Sequence, residues 1–400
     1  VQRLDFDGVA GSVLIEAAPD LVTALRRIAP DWPCEIAQQT RVAPEAADVL
    51  ASVTALEDGL TLQSRYADSP LPGLSLAAAA CALAADLSQG FVDHRPDLGA
   101  LHCGAVEVNG RLVALTGAHR AGKSTLIARL TAEPQMRVFC DDVLPILPDG
   151  QGLALGISPR LRLPLPERVS TRFRTHVARH VSLHDDRYAY VSAPGQAPHG
   201  TTAPLSVIVV LDRRDAGAAR LHPIATDMAL RHVLARNLAD LGSAEVAFAQ
   251  MHALVSGTLC LRMVYADLEE AVALLHTAFG GPGRLNPALP LAPDDSNPPA
   301  TAAPIDPVDP HLVWRHHPQV ARRQVGQSSF LWMPDDTVLH HLNPLGAAIW
   351  ALLEIPGSAT DLAEALAEVF PEHPMTTILT DTARLLAQLA KHGMILSSDA

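Results

Sequence analysis

Between Leu101 and Ile146 the chain carries the segment whose spacing admits the fewest folds. Gly117-Ala118-His119-Arg120-Ala121-Gly122-Lys123-Ser124 fits the pattern G-x-x-x-x-G-K-[ST]. Arg111 to Thr116 is a short apolar run of strand type, and Ser124 to Leu130 has helical composition. Strand, glycine loop and helix in that order form a phosphate-binding unit, so an α/β fold is expected around it. Gly117 and Gly122 permit backbone conformations that a Cβ resists. Successive N–H groups can then wrap an anion, with the positive end of the following helix behind them. In such a loop Lys123 reaches the phosphates of ATP and the Ser124 hydroxyl ligates Mg²⁺. Thr125 completes the set of residues expected around the nucleotide.

Two neighbours sharpen this. Val138-Phe139-Cys140 reads as the end of a second strand that delivers Asp141 and Asp142. One carboxylate can hold Mg²⁺ and the other can take a proton from an attacking hydroxyl. His102, with Gly104 nearby, precedes the strand that feeds the loop. On spacing alone it reads as an ordinary histidine.

The order His-x-Gly, strand, phosphate loop, helix, strand, Asp-Asp resembles the HPr kinase/phosphorylase family and its relatives among the phosphoenolpyruvate carboxykinases. The resemblance implies a P-loop kinase core with Asp141 as general base, Asp142 as the metal-side carboxylate and His102 as the catalytic-region histidine. The chain departs from that family at three places. Cys103 separates His102 from Gly104, Thr125 stands where the bifunctional enzymes carry Glu, and the loop reads AHRAG. These departures bear on the phosphorylase half-reaction and on the sugar-transport carrier as substrate, not on nucleotide binding.

Composition narrows the partners. The formal charge of −13 argues against a nucleic-acid or anionic-membrane partner. Local positive charge at the loop would come from Lys123, Arg120 and Arg129. The five cysteines are scattered without a C-x-x-C, which points to a reducing, cytoplasmic setting with neither zinc site nor disulfide framework. Arg3, Asp5 and Asp7 leave no secretory signal at the start of the sequence. Leu74 to Leu87 is shorter than the roughly 20 residues of a membrane span and is expected to be a buried, alanine-rich helix.

Residues 1–98 are expected to form an α/β subdomain packing on the kinase. It has helices at Leu21 to Ile28 and Pro44 to Leu50 and a strand at Gly59 to Arg65. Residues 99–280 form the ATP-binding domain. There Arg160 and Arg162 alternate on an extended segment, facing either the nucleotide or solvent. His176, His180 and His184 recur among arginines that would repel a cation, so they read as a surface. Leu205 to Leu211 is a buried strand, and Asp227 to Leu241 and Leu268 to Phe279 read as amphipathic helices. Residues 281–310, with nine prolines from Pro282 to Pro310, are expected to be a semi-extended tether.

Residues 311–400 resume order. Val320 to Met333 and Val338 to Leu342 read as strands around the turn Pro334-Asp335-Asp336-Thr337. Asn343-Pro344 opens a helix, Thr360 to Phe370 a second and Thr377 to His392 a third, before a short strand at Met394 to Leu396. This is the outline of a small α+β winged helix. The run from His341 to Leu396 resembles the PqqD family of precursor-peptide recognition domains. The resemblance implies binding of a leader peptide as an added strand on the hairpin. Ser328, Phe330 and Trp332, with Leu385 and Leu389 of the third helix, would make the contact surface. A DNA-binding winged helix is disfavoured by Glu364, Glu368 and Asp381. The pairs His316-His317 and His340-His341 point to opposite faces of strands and read as incidental.

Taken together, the expectation is an ATP- and Mg²⁺-dependent kinase acting on a Ser or Thr hydroxyl of a ribosomally made precursor peptide. Other enzymes of the same pathway, or further copies of this chain, are the additional expected partners. The alternatives are a nucleotide-binding adaptor that delivers the peptide without transferring phosphate, and a kinase for a free amino acid or carrier protein.

Overall fold

Arg111–Gly117, the strand that feeds the glycine loop, is buried along nearly its whole length, which requires a central place in its sheet. The computed structural model describes residues 1–38, 48–293, 306–334 and 336–398. It is a mixed α/β structure with several sheets, and the chain divides into two compact units.

The first unit comprises Val1–Ile224, Ala235–Asp240 and Leu254–Asp294. In its main sheet Arg111–Gly117 lies between Gly104–Val108, antiparallel, and Thr202–Arg213, parallel. The long strand Thr202–Arg213 changes neighbours along its length. Its start pairs with Gln151–Leu153 and its second half pairs in parallel with Leu259–Tyr265. Three parallel strands therefore end side by side at Gly117, Arg213 and Tyr265. The carboxyl edge of such a sheet is where open α/β folds bind ligands.

A second, six-stranded sheet is built from residues 2–74 and carries the helices Pro19–Ile28 and Leu76–Asp93. Its core is continuous with Leu98, Leu153, Leu155 and Tyr190. The alanine-rich helix is longer than its sequence suggested. It runs for 18 residues to Asp93, long and apolar enough to cross a membrane by length and composition, yet Ala79, Leu83, Leu87 and Phe91 are buried in this core. The expected helix at Pro44 to Leu50 lies mostly outside the described residues, and its last two residues, Val49 and Leu50, open the strand Val49–Leu56.

The tether begins later than the prolines suggest. Asn109 and Arg111 donate to the carbonyls of Gly280, Gly281 and Pro282, Leu285 and Leu289 pack on the sheet core, and the Ala292 N–H donates to the Leu221 carbonyl. Residues 281–293 thus belong to the first unit.

The second unit comprises Ala225–Leu234, Leu241–Ala253 and Asp295–Ala400. Its sheet has the order Ala321–Val325, Ser328–Trp332, His340–Leu342, all antiparallel. The helices Pro344–Leu352, Ala359–Val369 and Met375–Lys391 follow, and Ile395–Ser397 pairs with Trp314–His316. Asn343 caps the first helix, accepting the Gly346 N–H at 2.8 Å, with Pro344 in its first turn. The second helix begins at Ala359, one residue before the start read from the sequence, and Ser358 caps it in a reciprocal box with Asp361.

Two segments from the middle of the chain complete this unit. Helix Thr226–Leu234 brings Asp227 to Ser328, and the first part of helix Ala244–Gly257 brings Phe248 against Phe330 and Trp332. The second helix has no amphipathic signature, because its apolar residues do not gather on one face.

Candidate functional site

The glycine loop turns where strand Arg111–Gly117 ends and helix Lys123–Leu130 begins. Gly122 sits at φ 89°, and a Cβ there would stand 2.5 Å from the Tyr265 hydroxyl. That hydroxyl donates to the Ala121 carbonyl at 2.7 Å from a buried position, so it fixes the loop from beneath. Gly104 meets a second steric demand, since a Cβ would lie 2.3 Å from Ile127 of the loop helix. Ala118, His119 and Arg120 form the exposed apex, where Arg120 takes the left-handed conformation at φ 65°.

Lys123 is half-buried and its ammonium donates to the Gly117 carbonyl at 3.3 Å. Burial, then the nearby charge of Arg236, hold its pKa below the usual lysine value. Ser124 and Thr125 are partly exposed in the first turn.

Sheet pairing brings the predicted acid and histidine together. Strand Gly99–His102 runs antiparallel to Val143–Ile146 with His102 opposite Val143, and His102 Nδ1 lies 3.2 Å from Asp142 Oδ1. Burial first, then Lys123 and Arg236 against the pull of Asp142, keep the His102 pKa below its ordinary value. Cys103, the residue that breaks the family spacing, is fully buried and its N–H donates to the Asp142 carbonyl at 3.0 Å.

Asp141 follows strand Met136–Cys140 and accepts the Arg160 N–H at 2.8 Å. The residue keeps some exposure through a small pocket it shares with Asp142, Arg160 and Tyr190, but its carboxylate is closely surrounded by protein. Desolvation, then the charge of Asp142, push its pKa up to about 7. A carboxylate with that value is suited to exchange protons near neutrality.

Three expectations about cations change. Arg129 is not a free charge beside the loop. It lies on the inner face of the helix, 1% exposed, bonded to Glu133 at 2.5 Å and Glu269 at 2.7 Å. Arg160 belongs with Asp141, with its guanidinium on Cys81 and over the Tyr188 ring, whereas Arg162, two residues on, is exposed. Arg236 was not anticipated. The Asp227 to Leu241 stretch reads as one helix, but the helix stops at Leu234. The Arg236 carbonyl accepts the His102 N–H at 2.8 Å, and Leu238 donates to the Ala100 carbonyl. Arg236 Nε is buried without a hydrogen-bond partner. The available signal was Asn237, whose side chain accepts the Ala239 N–H and so favours a turn over a helix.

Among the described residues no group of three or more His, Cys, Asp or Glu side chains is placed to hold a metal. Ser124 and Asp142 would supply two ligands at most, which suits Mg²⁺, an ion that takes one or two protein ligands and completes its shell with phosphate oxygens and water.

In the second unit, strand Ser328–Trp332 is buried throughout and paired on both sides. The Ser328 hydroxyl donates to buried Asp227 at 2.6 Å, and Phe330 and Trp332 pack on Phe248. Leu389 is in the core, while Leu385 lines an apolar groove with Leu345, Ile349, Phe370 and Ile378.

Residues 329–395 match the family model for coenzyme PQQ synthesis protein D (PqqD). No curated protein matches the chain. The PqqD match begins inside the central strand and ends at Ile395, so it spans the hairpin return and all three C-terminal helices. It ties this part of the chain to peptide natural-product biosynthesis. The three residues expected to meet a peptide on the hairpin occupy its central strand. An added strand needs an unpaired edge. In the three-stranded sheet of the PqqD-like unit the edges are Ala321–Val325 and His340–Leu342.

Proposed function

We propose that the chain is an ATP- and Mg²⁺-dependent kinase of the HPr kinase type that phosphorylates a Ser or Thr hydroxyl of a ribosomally made peptide, with the leader held by a winged-helix, PqqD-like domain. The observation that carries the reading is the convergence of Lys123, His102, Asp142 and Arg236 on one glycine loop, with Asp141 adjoining. A loop whose surrounding charges are mostly cationic, flanked by a proton-accepting carboxylate, suits phosphoryl transfer.

In this mechanism the hydroxyl oxygen of the peptide bonds to the γ-phosphorus as the bond to the bridging oxygen of ADP breaks. Asp141 receives the hydroxyl proton. Lys123 and Arg236 stabilise charge on the transferring group, and neutral His102 orients Asp142. Mg²⁺, held by Ser124 and Asp142, would neutralise the phosphate oxygens. The peptide leader would add to the sheet at one of its two edges, with side chains entering the Leu385 groove.

The test is mass spectrometry of a leader-bearing peptide co-expressed with the full chain. An added phosphate is expected with the wild type and none with Lys123→Ala. Asp141→Asn should keep nucleotide binding and lose transfer. Undiminished transfer by Lys123→Ala overturns the reading. Nucleotide binding with no transfer to any leader-bearing peptide points instead to the adaptor. A kinase for a free amino acid or carrier protein would keep its activity without residues 311–400.

A further inference from the structure

The carboxyl edge of the main sheet holds more than the loop. A recess of about 160 Å³ opens beside Gly122 and Thr125, walled by Val169, Tyr265 and Leu268. It continues into a wider one of about 660 Å³ along Ala118 to Ala121. Pro166, Arg168, Arg213 and Asp215 line both parts, so the two form one space. None of the residues lining it is shared with the Asp141 pocket.

Topology explains the gathering. Arg213 and Tyr265 end the two parallel strands next to the loop strand, and Asp215 follows two residues beyond. Arg168 is exposed on the segment before helix Thr171–His180. We propose that this recess takes the nucleoside of the triphosphate, an inference that rests on the loop holding the phosphates. The chain's own chemistry supports that occupant. Pro166, Val169 and Leu268 give an apolar wall for a flat base. The Arg168 and Arg213 guanidinium groups can stack on a heteroaromatic ring or pair with the phosphate nearest the ribose. The exposed Asp215 carboxylate accepts ribose hydroxyls. A triphosphate lying along the loop then runs from the recess, past Gly122, to Lys123 and the Asp pair. The nucleoside contacts are Arg168, Arg213 and Asp215, and Arg160 serves the acceptor side.

The experiment compares Mg²⁺-ATP with Mg²⁺-tripolyphosphate, which has the phosphates and no nucleoside, by calorimetry on the full chain. Ala266→Trp, which fills the inner recess, should weaken ATP by at least about tenfold and leave tripolyphosphate within about twofold. Asp215→Asn is at an exposed position and should fold normally. It should weaken ATP by about three- to tenfold while tripolyphosphate binds as well or tighter, because a repelling charge has gone. Equal effects on both ligands, or on neither, overturn the nucleoside assignment. A raised KM for the peptide with ATP affinity unchanged gives the recess to the peptide and also overturns it. A wild-type chain that binds neither tripolyphosphate nor ATP removes the phosphate-loop reading itself.

Discussion

The contact between Gly122 and Tyr265 makes a quantitative test of how the loop is held. Replacing Gly122 with Ala places a Cβ 2.5 Å from the Tyr265 hydroxyl oxygen, closer than real Cβ atoms come. Tyr265 is 2% exposed, so its ring cannot swing into solvent. The substitution adds left-handed strain of about 1–2 kcal/mol. It also breaks the buried bond to the Ala121 carbonyl, about 1–3 kcal/mol, and overpacks the site by about 1–3 kcal/mol. A total of about 3–8 kcal/mol is expected, seen as early unfolding of the first unit and loss of nucleotide binding. Tyr265→Phe alone should cost about 1–2 kcal/mol, because it removes only the hydroxyl. In the double variant the next ring atom stands 3.7 Å from the new methyl, an ordinary contact. The pair should therefore be more stable than the sum of the single changes by about 2–6 kcal/mol, because the overpacking is relieved and the lost bond is counted only once. Denaturant unfolding of all four proteins, with nucleotide affinity measured in parallel, closes the cycle. Additivity within about 0.5 kcal/mol would refute the steric account of the loop.

Four more outcomes follow from the same geometry. With Asp141 at about 7, kcat/KM for phosphotransfer should rise about tenfold from pH 6 to pH 8, and a flat profile would remove Asp141 as the base. The same raised value has a sign for stability. The contribution is fully present below the ordinary value of 3.8 and is lost as pH rises through about 7, so the stability gained by Asp141→Asn over the wild type should grow from about pH 4 to about pH 7, the window set by that shift, in thermal melts. Arg129→Met leaves Glu133 and Glu269 without their shared buried cation and should cost about 3–5 kcal/mol on denaturant unfolding; a loss below about 1 kcal/mol would show the pair to be weakly coupled to folding. Ser328→Ala strands the buried Asp227 carboxylate and should destabilise the second unit by about 1.5–3 kcal/mol while peptide affinity holds; weaker peptide binding at unchanged stability would return Ser328 to the contact surface.

What could be read from the sequence is what depends on neighbours in the chain. The glycine loop needs residues a few positions apart, as do the Asn343 cap and the turn to Asp141 and Asp142. All are where the pattern put them. The hairpin failed for a different reason. Ser328, Phe330 and Trp332 enter the expected contact surface through the PqqD resemblance, not through the pattern of the strand itself. The run SSFLW does not alternate, however, and a non-alternating strand is buried on both faces. The material that covers it, Asp227 and Phe248, comes from helices about a hundred residues earlier in the numbering, and no local period announces such a partner.

Arg236 carries this argument furthest. Residues 235–240 belong to the first unit, while the residues on either side, Ala225–Leu234 and Leu241–Ala253, belong to the second. The hydrogen bonds of Arg236 and Leu238 to His102 and Ala100, with Asn237 bridged to Leu101, hold this segment along the strand Gly99–His102. The break at Leu234 delivers its guanidinium, with a buried and unpartnered Nε, to the neighbourhood of Lys123 and His102. A buried donor left open costs about 1–3 kcal/mol unless something accepts from it. In the proposed kinase, a phosphate oxygen held by the glycine loop would be that acceptor.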